Sequence, residues 1–229
     1  MKIAIITARG GSKRIPGKNR KEFCGKPILA YSIEAALDSG VFDEVMISTE
    51  DEEIAKIAQT YGASFPFKRS EKTAGDHAAT IEVMLEVTDM YGRIGKTPDE
   101  VCCIYPTAPF VTAQKLRKAD ALLKESGADA VVPIVKFSFP PQRCFVVNEA
   151  GFIHFKWKEN ELVRSQDMEP YYHDAGQFYF IKTDIMMKQH TLIPQKTIPM
   201  IMDEMEVQDI DSMDDWRIAE MKYRVMEKI

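Results

Sequence analysis

Two stretches of this chain carry residue types that can handle a triphosphate, one basic and one acidic. The basic one is Ala8, Arg9, Gly10, Gly11, Ser12, Lys13, Arg14, Ile15, Pro16, Gly17, Lys18 and Asn19, directly after the apolar run Ile3 to Ile6. Glycine lets backbone N–H groups come close to an anion, and lysine and arginine bring charge. From Arg9 to Lys26 there are seven cations and one acid, Glu22, in a chain whose net charge is −5. This local reversal of sign points to a polyanionic partner such as a nucleoside triphosphate. The loop is not a Walker A motif, because five residues separate Gly11 from Gly17 and Asn19 follows Lys18. It is not a dinucleotide fingerprint either, since Gly-x-Gly-x-x-Gly is missing.

The acidic stretch is Val207, Gln208, Asp209, Ile210 and Asp211. In an extended segment residues i and i+2 face the same way. Asp209 and Asp211 can therefore address one site while Ile210 packs behind them. Two carboxylates on one face suit Mg²⁺, which takes a few protein oxygens together with substrate phosphate oxygens. Capping is the alternative: Asp211 or Ser212 would begin a helix near Met213, with Asp214 and Asp215 at its positive end. Spacing alone leaves both open, but capping does not account for Asp209. Between the two stretches, Arg69 can pair with phosphate, and Thr80 stands at a helix start where it caps the helix or reaches the nucleotide. His77 reads equally well as a loop residue. No Ser/His/Asp or Cys/His triad is present.

These residues need a scaffold, and the pattern supplies one. Strands are expected at Lys2 to Thr7, Glu44 to Ser48, Val101 to Tyr105 and Ala130 to Val135. Helices are expected at Pro27 to Ser39, Asp51 to Tyr61, Thr80 to Tyr91 and Ala113 to Ser126. Such alternation implies an α/β fold with a mostly parallel sheet and helices on both faces. The rhythm changes at Phe137. Residues 137–181 are rich in aromatics and proline, with a hairpin signal at Asn148 to Gly151, and read as a small antiparallel lobe inserted in one domain spanning 1–229. A last helix, about Met213 to Glu227, carries Trp216, Ala219, Tyr223 and Met226 at core spacing. With 45% hydrophobic residues a sizeable core is expected. No 18-residue apolar run suggests a membrane span. The chain enters a strand at Lys2, so no leader is expected. The cysteines, Cys24, Cys102, Cys103 and Cys144, have no metal spacing and fit a reducing cytoplasm. The acidic balance and the confinement of the basic cluster to one loop argue against nucleic acid.

The loop as written, followed by Phe23 and Gly25-Lys26-Pro27, resembles the CMP-sugar synthetases of the sialic acid type, which have the nucleotide-diphospho-sugar transferase fold. The resemblance continues through Phe67-Lys68-Arg69, Asp76-His77 and Thr80, and ends with Asp209-Ile210-Asp211 before a helix. It implies that the loop wraps the triphosphate of CTP and that Asp209 and Asp211 hold the metal. Arg9, Lys13 and Lys18 would hold the β- and γ-phosphates. The sialic acid enzymes commonly place Gln-Pro-Thr-Ser-Pro at the end of the central strand. This chain has Tyr105 and Ala108 there, a difference that weighs against N-acetylneuraminate. Arg164-Ser165-Gln166-Asp167, then Tyr172-His173-Asp174-Ala175-Gly176-Gln177-Phe178-Tyr179, looks like the pseudaminic acid cytidylyltransferases. The implied reaction joins CTP and a nine-carbon sugar acid into a CMP-sugar, for flagellin or surface glycosylation. Tyr105, Arg164, His173, Asp174 and Gln177 would read the acid, and the lobe would form a homodimer. Legionaminate or N-acetylneuraminate is the alternative substrate. A non-catalytic nucleotide binder is the alternative of another class.

Overall fold

The computed structural model describes residues 1–227. Strand β1 (Lys2–Thr7) leads through the basic loop and a short hairpin, β2 (Glu22–Phe23) and β3 (Lys26–Pro27), into helix α1 (Ile28–Ser39). Then follow β4 (Glu44–Ser48), α2 (Glu52–Thr60), the single turn α3 (Glu71–Ala74) and α4 (Thr80–Arg93). Next come β5 (Glu100–Ile104), α5 (Ala113–Ser126) and β6 (Ala130–Lys136). The hairpin β7 (Phe145–Val147) and β8 (Ile153–Phe155) precedes β9 (Tyr172–Asp174). Last are β10 (Phe178–Lys182), α6 (Thr183–Gln189), β11 (Thr197–Met202) and α7 (Met213–Glu227). The strands expected at 2–7 and 44–48 and the helix expected at 113–126 coincide with these bounds.

Six strands of the central sheet run in the order β11-β6-β10-β5-β1-β4, and β9 pairs with β6 as the seventh. β1 is parallel to β4 and β5, β11 is parallel to β6, and β10 is antiparallel between β5 and β6. Alternate residues of β1 feed different cores. Ile3 and Ile5 pack with Met84, Val87 and Tyr91 of α4, and Ala4 and Ile6 pack with Leu29 and Ile33 of α1 and Leu116 of α5. The sheet is therefore covered on both faces, which is why β1 reads as a continuous apolar run.

The lobe expected over 137–181 is shorter. Phe178, Phe180 and Ile181 are fully enclosed, so this aromatic run forms a core strand in the sheet. Tyr172–Asp174 also pairs with β6. Between the pairs Ile134↔Asp174 and Val131↔Phe180, β6 advances three residues while its partner advances six. The three extra residues on this side make a bulge at Ala175 to Gln177, in which the Ala175 amide still donates to Pro133 O at 3.1 Å and Gly176 takes a left-handed turn at φ 62°.

A third, smaller core lies under the basic loop. It joins Ile15, Phe23, Tyr31, Phe110, Ile210 and Trp216. Phe23 meets Tyr31, Trp216 and Tyr223 edge-on, with ring centroids 5.6, 5.5 and 5.5 Å apart. Full burial of such a side chain is worth about 1.5–3 kcal/mol. This cluster fastens both functional stretches at once, the basic loop through Ile15 and the acidic segment through Ile210. Of the stripe expected on the last helix, Trp216 and Ala219 are buried and Tyr223 packs against this core, whereas Met226 is exposed.

Candidate active site

The carboxyl ends of β1, β4 and β5 lie side by side, because all three strands are parallel. This is the edge at which open α/β sheets present ligand-binding loops. Ala8 is fully buried and its amide donates to Ser48 O at 3.0 Å, so the loop starts from a fixed point. The Gly10 amide donates to Glu50 Oε1 at 2.6 Å. A Cβ on Gly10 would meet Asp51 Oδ2 at 2.7 Å and Asp51 Cβ at 3.0 Å, so a side chain there would push Asp51 aside. Gly11 is different, since a Cβ there would meet nothing within 4 Å. Asn19 is buried and its amide donates to Arg9 O at 2.8 Å. Asn19 therefore ties the loop to itself.

The loop walls a cleft of about 550 Å³ that Arg9, Ser12, Lys13, Lys18 and Asn19 share with Arg69, Thr80 and Tyr105. Arg69 is buried and held by Ser48, from Nε to Oγ at 3.1 Å and from Nη2 to O at 2.6 Å. Burial lowers its pKa, and Glu50 and Glu86 oppose that shift. The helix-start role weighed for Thr80 falls to Ala79, whose amide donates to Glu82 Oε2 at 2.8 Å. The Thr80 hydroxyl instead stands 3.5 Å from that of Tyr105. Asp76 and His77 also line the cleft.

The cations here already have anionic partners. Arg9 Nη1 and Lys13 Nζ reach opposite oxygens of the Asp76 carboxylate, at 2.7 and 2.5 Å. The lysine first, then the arginine, holds that carboxyl below its ordinary pKa. Arg14 Nη2 lies 2.7 Å from Asp211 Oδ1. Lys18 Nζ donates to Ile210 O at 2.6 Å and lies 3.8 Å from Asp211. Burial lowers the Lys18 pKa, against the pull of Asp211 and Asp209. Lys18 is thus the physical link between the basic loop and the acidic segment.

The acidic segment borders a second cleft, of about 390 Å³, lined by His173, Asp209, Asp211, Asp215 and Lys222 among others. Ile210 is fully buried behind the two aspartates, as the i, i+2 pattern requires. Capping of α7 is carried by Ser212 and Asp215. The Asp215 amide donates to Ser212 Oγ at 3.2 Å, and the Ser212 amide donates to Asp215 Oδ2 at 2.7 Å. Asp209 and Asp211 are left over from capping. Burial, then the neighbouring Asp211, raises the Asp209 pKa. A half-buried carboxylate that is costly to keep charged, with a second one beside it, is a donor set that a divalent cation relieves, so these residues fit a metal. Among the described residues no group of three or more His, Cys, Asp or Glu side chains is placed to hold one. Any metal there rests on the pair together with ligand oxygens.

The remaining candidates divide. His173 lines the second cleft, its Nδ1 is 2.9 Å from Asp174 O, and its ring packs at a tilt against Phe137 with centroids 4.8 Å apart. Asp174 accepts from the Gly176 amide at 2.7 Å and from the Tyr179 hydroxyl. Gln177 is 2% exposed, lines neither cleft, and donates through Nε2 to Glu206 O at 2.6 Å. The bulge buries it, so it braces the acidic segment from below. Arg164 lines neither cleft and pairs with Asp167 at 2.7 Å within its own turn. Sequence reasoning missed Glu50, Glu86 and Tyr179. Glu86 anchors the 70–73 turn through the Ser70 amide and both hydroxyls, at 2.6–2.8 Å. An isolated glutamate on a helix gives no signal of that.

The model of the cytidylyltransferase family matches residues 3–224. The chain belongs to the cytidylyltransferase family. It is 36% identical over 97% of its length to a pseudaminic acid cytidylyltransferase of Campylobacter jejuni subsp. jejuni serotype O:23/36 (strain 81-176), covering 96% of that protein. It is 31% identical to the CMP-N,N'-diacetyllegionaminic acid synthase of Legionella pneumophila, over 95% of this chain and 94% of that one. Among solved structures, CMP:2-keto-3-deoxy-manno-octonic acid synthetase complexed with CTP superposes with a TM-score of 0.68 at 16% identity, covering 100% and 99% of the two chains. That likeness establishes the nucleotidyltransferase fold. No helix among the described residues of this cytidylyltransferase is long and apolar enough to cross a membrane.

Proposed function

We propose that this cytidylyltransferase activates pseudaminic acid, a nine-carbon nonulosonic acid, with CTP, giving CMP-pseudaminic acid and pyrophosphate. The observation that carries the reading is Lys18, which joins a cationic cleft to a carboxylate pair within one site. A triphosphate in the first cleft and an acid in the second would meet there. The 36% identity to full-length pseudaminic acid cytidylyltransferases supports the choice of acid.

The anomeric hydroxyl attacks the α-phosphorus in line. Its oxygen gains the P–O bond and releases its proton to solvent, and the bond to the bridging oxygen breaks with its electron pair leaving on pyrophosphate. Such a reaction needs mainly positioning and charge neutralisation. Arg9, Lys13 and Lys18 exchange Asp76 and Asp211 for the β- and γ-phosphates and steady the leaving group. Arg69, already desolvated, and the Ser12 and Thr80 hydroxyls position the nucleotide. Asp209 and Asp211 would hold Mg²⁺, which would neutralise phosphate charge and favour the ionised form of a hydroxyl beside it. Tyr105, His173 and Asp174 orient the acid.

Leu162, Phe139, Phe152 and Ile153 expose 93%, 88%, 70% and 65% of their surface. So large an apolar display on one lobe fits a homodimer, in which Arg164 would serve the neighbouring subunit's site. The compartment is the cytoplasm, and the product serves flagellin or surface glycosylation. The test is pyrophosphate release from CTP and Mg²⁺ with pseudaminate, legionaminate and N-acetylneuraminate side by side. Pseudaminate should be turned over fastest. A preference for another acid would change the substrate, and no release with any acid would overturn the activity.

A further inference from the structure

The wall of the nucleotide cleft that follows Arg69 is held without a hydrophobic anchor. Among the described residues the hydrophobic cores take in Phe67 and Ile81 but nothing between them. From 70 to 79 a single residue is buried, Thr73, at 4% exposure. Yet Thr73, Gly75, Asp76, His77 and Ala78 all line the cleft. Ordering such a stretch costs backbone entropy, so polar contacts must hold it in place.

Two side-chain ties do this. One is Asp76, which pairs with Arg9 and Lys13 of the basic loop. The other is Glu86 of α4, which shares a separate recess of about 500 Å³ with Ser70 and Thr73 and does not line the cleft. Glu86 Oε1 accepts from the Ser70 amide at 2.8 Å, and Oε2 accepts from the Ser70 and Thr73 hydroxyls at 2.7 and 2.6 Å. The one buried residue of the wall is thus bound directly to Glu86. Burial alone would raise the Glu86 pKa, but the Thr73 and Ser70 bonds outweigh it and hold the carboxyl below its ordinary range. The helix is a firm base, since Met84, Val87 and Tyr91 pack in one core with Ile3 and Ile5 of β1. The two ties differ in one respect. Phosphate oxygens on Arg9 and Lys13 displace Asp76, whereas Glu86 lies outside the cleft and keeps its bonds. We infer that Glu86 is a positioning residue for the nucleotide: it holds Thr73 to Ala78 against the cleft once Asp76 is displaced, and so sets the affinity for CTP without touching it. The inference rests on CTP occupying the first cleft and is independent of which acid is the substrate.

The experiment measures CTP binding by calorimetry and steady-state kinetics on Glu86 variants. Glu86→Ala puts a good helix former in α4, so the fold should survive. CTP should bind about tenfold more weakly, as it would if the wall held its binding arrangement about one-tenth of the time. KM for CTP should rise in step, while kcat and KM for the acid stay within about twofold. A merely structural role would give the opposite split, because fewer folded molecules lower kcat and leave KM alone. Amide exchange should quicken from 70 to 78 and not in β1 or α1. Glu86→Gln should recover most of the lost affinity. Its Oε1 can keep the Ser70 amide and its Nε2 can donate to the two hydroxyls. Thr73→Val, which removes one of the three bonds, should lose affinity part of the way. Native CTP affinity in Glu86→Ala would overturn the inference. So would a Glu86→Gln variant as weak as Glu86→Ala, which would assign the effect to charge beside Arg69. If the native protein binds no CTP, the placement of the nucleotide falls, and this inference falls with it.

Discussion

The two halves of the site are built differently. The nucleotide half grows from the ends of parallel strands, and its anchors are buried: Ala8, Asn19 and Arg69 are at most 7% exposed. Each of its main cations already faces a carboxylate. The acid half is assembled from a three-residue strand, a bulge and a lobe of short hairpins whose large apolar side chains face water. The first half is a finished receptor that must exchange one set of anions for another. The second is an open surface, which the proposed homodimer would complete with a partner copy. Pre-organisation is thus concentrated in the half proposed to bind the triphosphate, and open surface in the half proposed to bind the acid.

The sharpest test of where the halves meet is Asp209→Ala. Asp209 takes no part in capping α7, so the fold should survive, and turnover should fall about 10²-fold or more, the scale of losing a charge-stabilising group. Near-normal turnover with unchanged circular dichroism would make the carboxylates structural. Next in size is the lobe. Leu162→Asp with Phe152→Ser should convert a dimer to a monomer in sedimentation at micromolar concentration. Turnover should drop roughly tenfold or more as the acid half loses its partner's positioning. A fully active monomer would show that one chain holds the whole site.

A pH profile separates the halves without changing the acid. Burial lowers the Lys18 pKa below its ordinary 10.5, so the charge on Lys18 is lost as pH rises through that lowered value. kcat/KM for CTP should therefore decline on the alkaline side earlier than for an exposed lysine. Lys18→Arg should carry the limb beyond the measurable range, since arginine stays charged. On the acid side the Asp209 pKa is raised, so its carboxylate is lost at a higher pH than an ordinary aspartate would be. An alkaline limb that Lys18→Arg does not move would assign the titration to another group.

How much of this was legible in the sequence follows the same division. The basic loop, the strands beneath it and the Asp209–Asp211 face were readable because each rests on a local pattern: an apolar run, glycine with cations, or an i, i+2 repeat. Gln177 and the end of the lobe were misplaced, because aromatic content cannot tell a buried β10 from an exposed hairpin. Only the three-residue slip against β6 decides that. Arg164 was legible as a polar residue in a family-like pattern, but the chain alone gives it a local partner, Asp167. Glu50 and Glu86 act through contacts distant in sequence between common residue types, and no spacing announces them.

The smallest effect probes the nucleotide half most directly. Asp76 occupies the Arg9–Lys13 pair where phosphate oxygens would go. Because those two cations hold its carboxyl below the ordinary range, Asp76 stays ionised throughout neutral and mildly acidic pH. Its competition with CTP should therefore not vary with pH between about 6 and 8, a window far above any carboxylate pKa. The side chains are partly exposed, 39% for Arg9 and 38% for Asp76, so the contact is screened and modest. Exposed pairs are weak, so Asp76→Asn should lower KM for CTP by only about two- to fivefold. Salt discriminates between mechanisms. If Asp76 acts as a competing anion, the gain in the variant should shrink as ionic strength rises, because added salt weakens the native contact. If Asp76 instead helps to bind CTP, for instance by keeping Arg9 and Lys13 extended into the cleft, KM should rise in the variant. That result would mean the receptor is arranged by its internal anion rather than blocked by it.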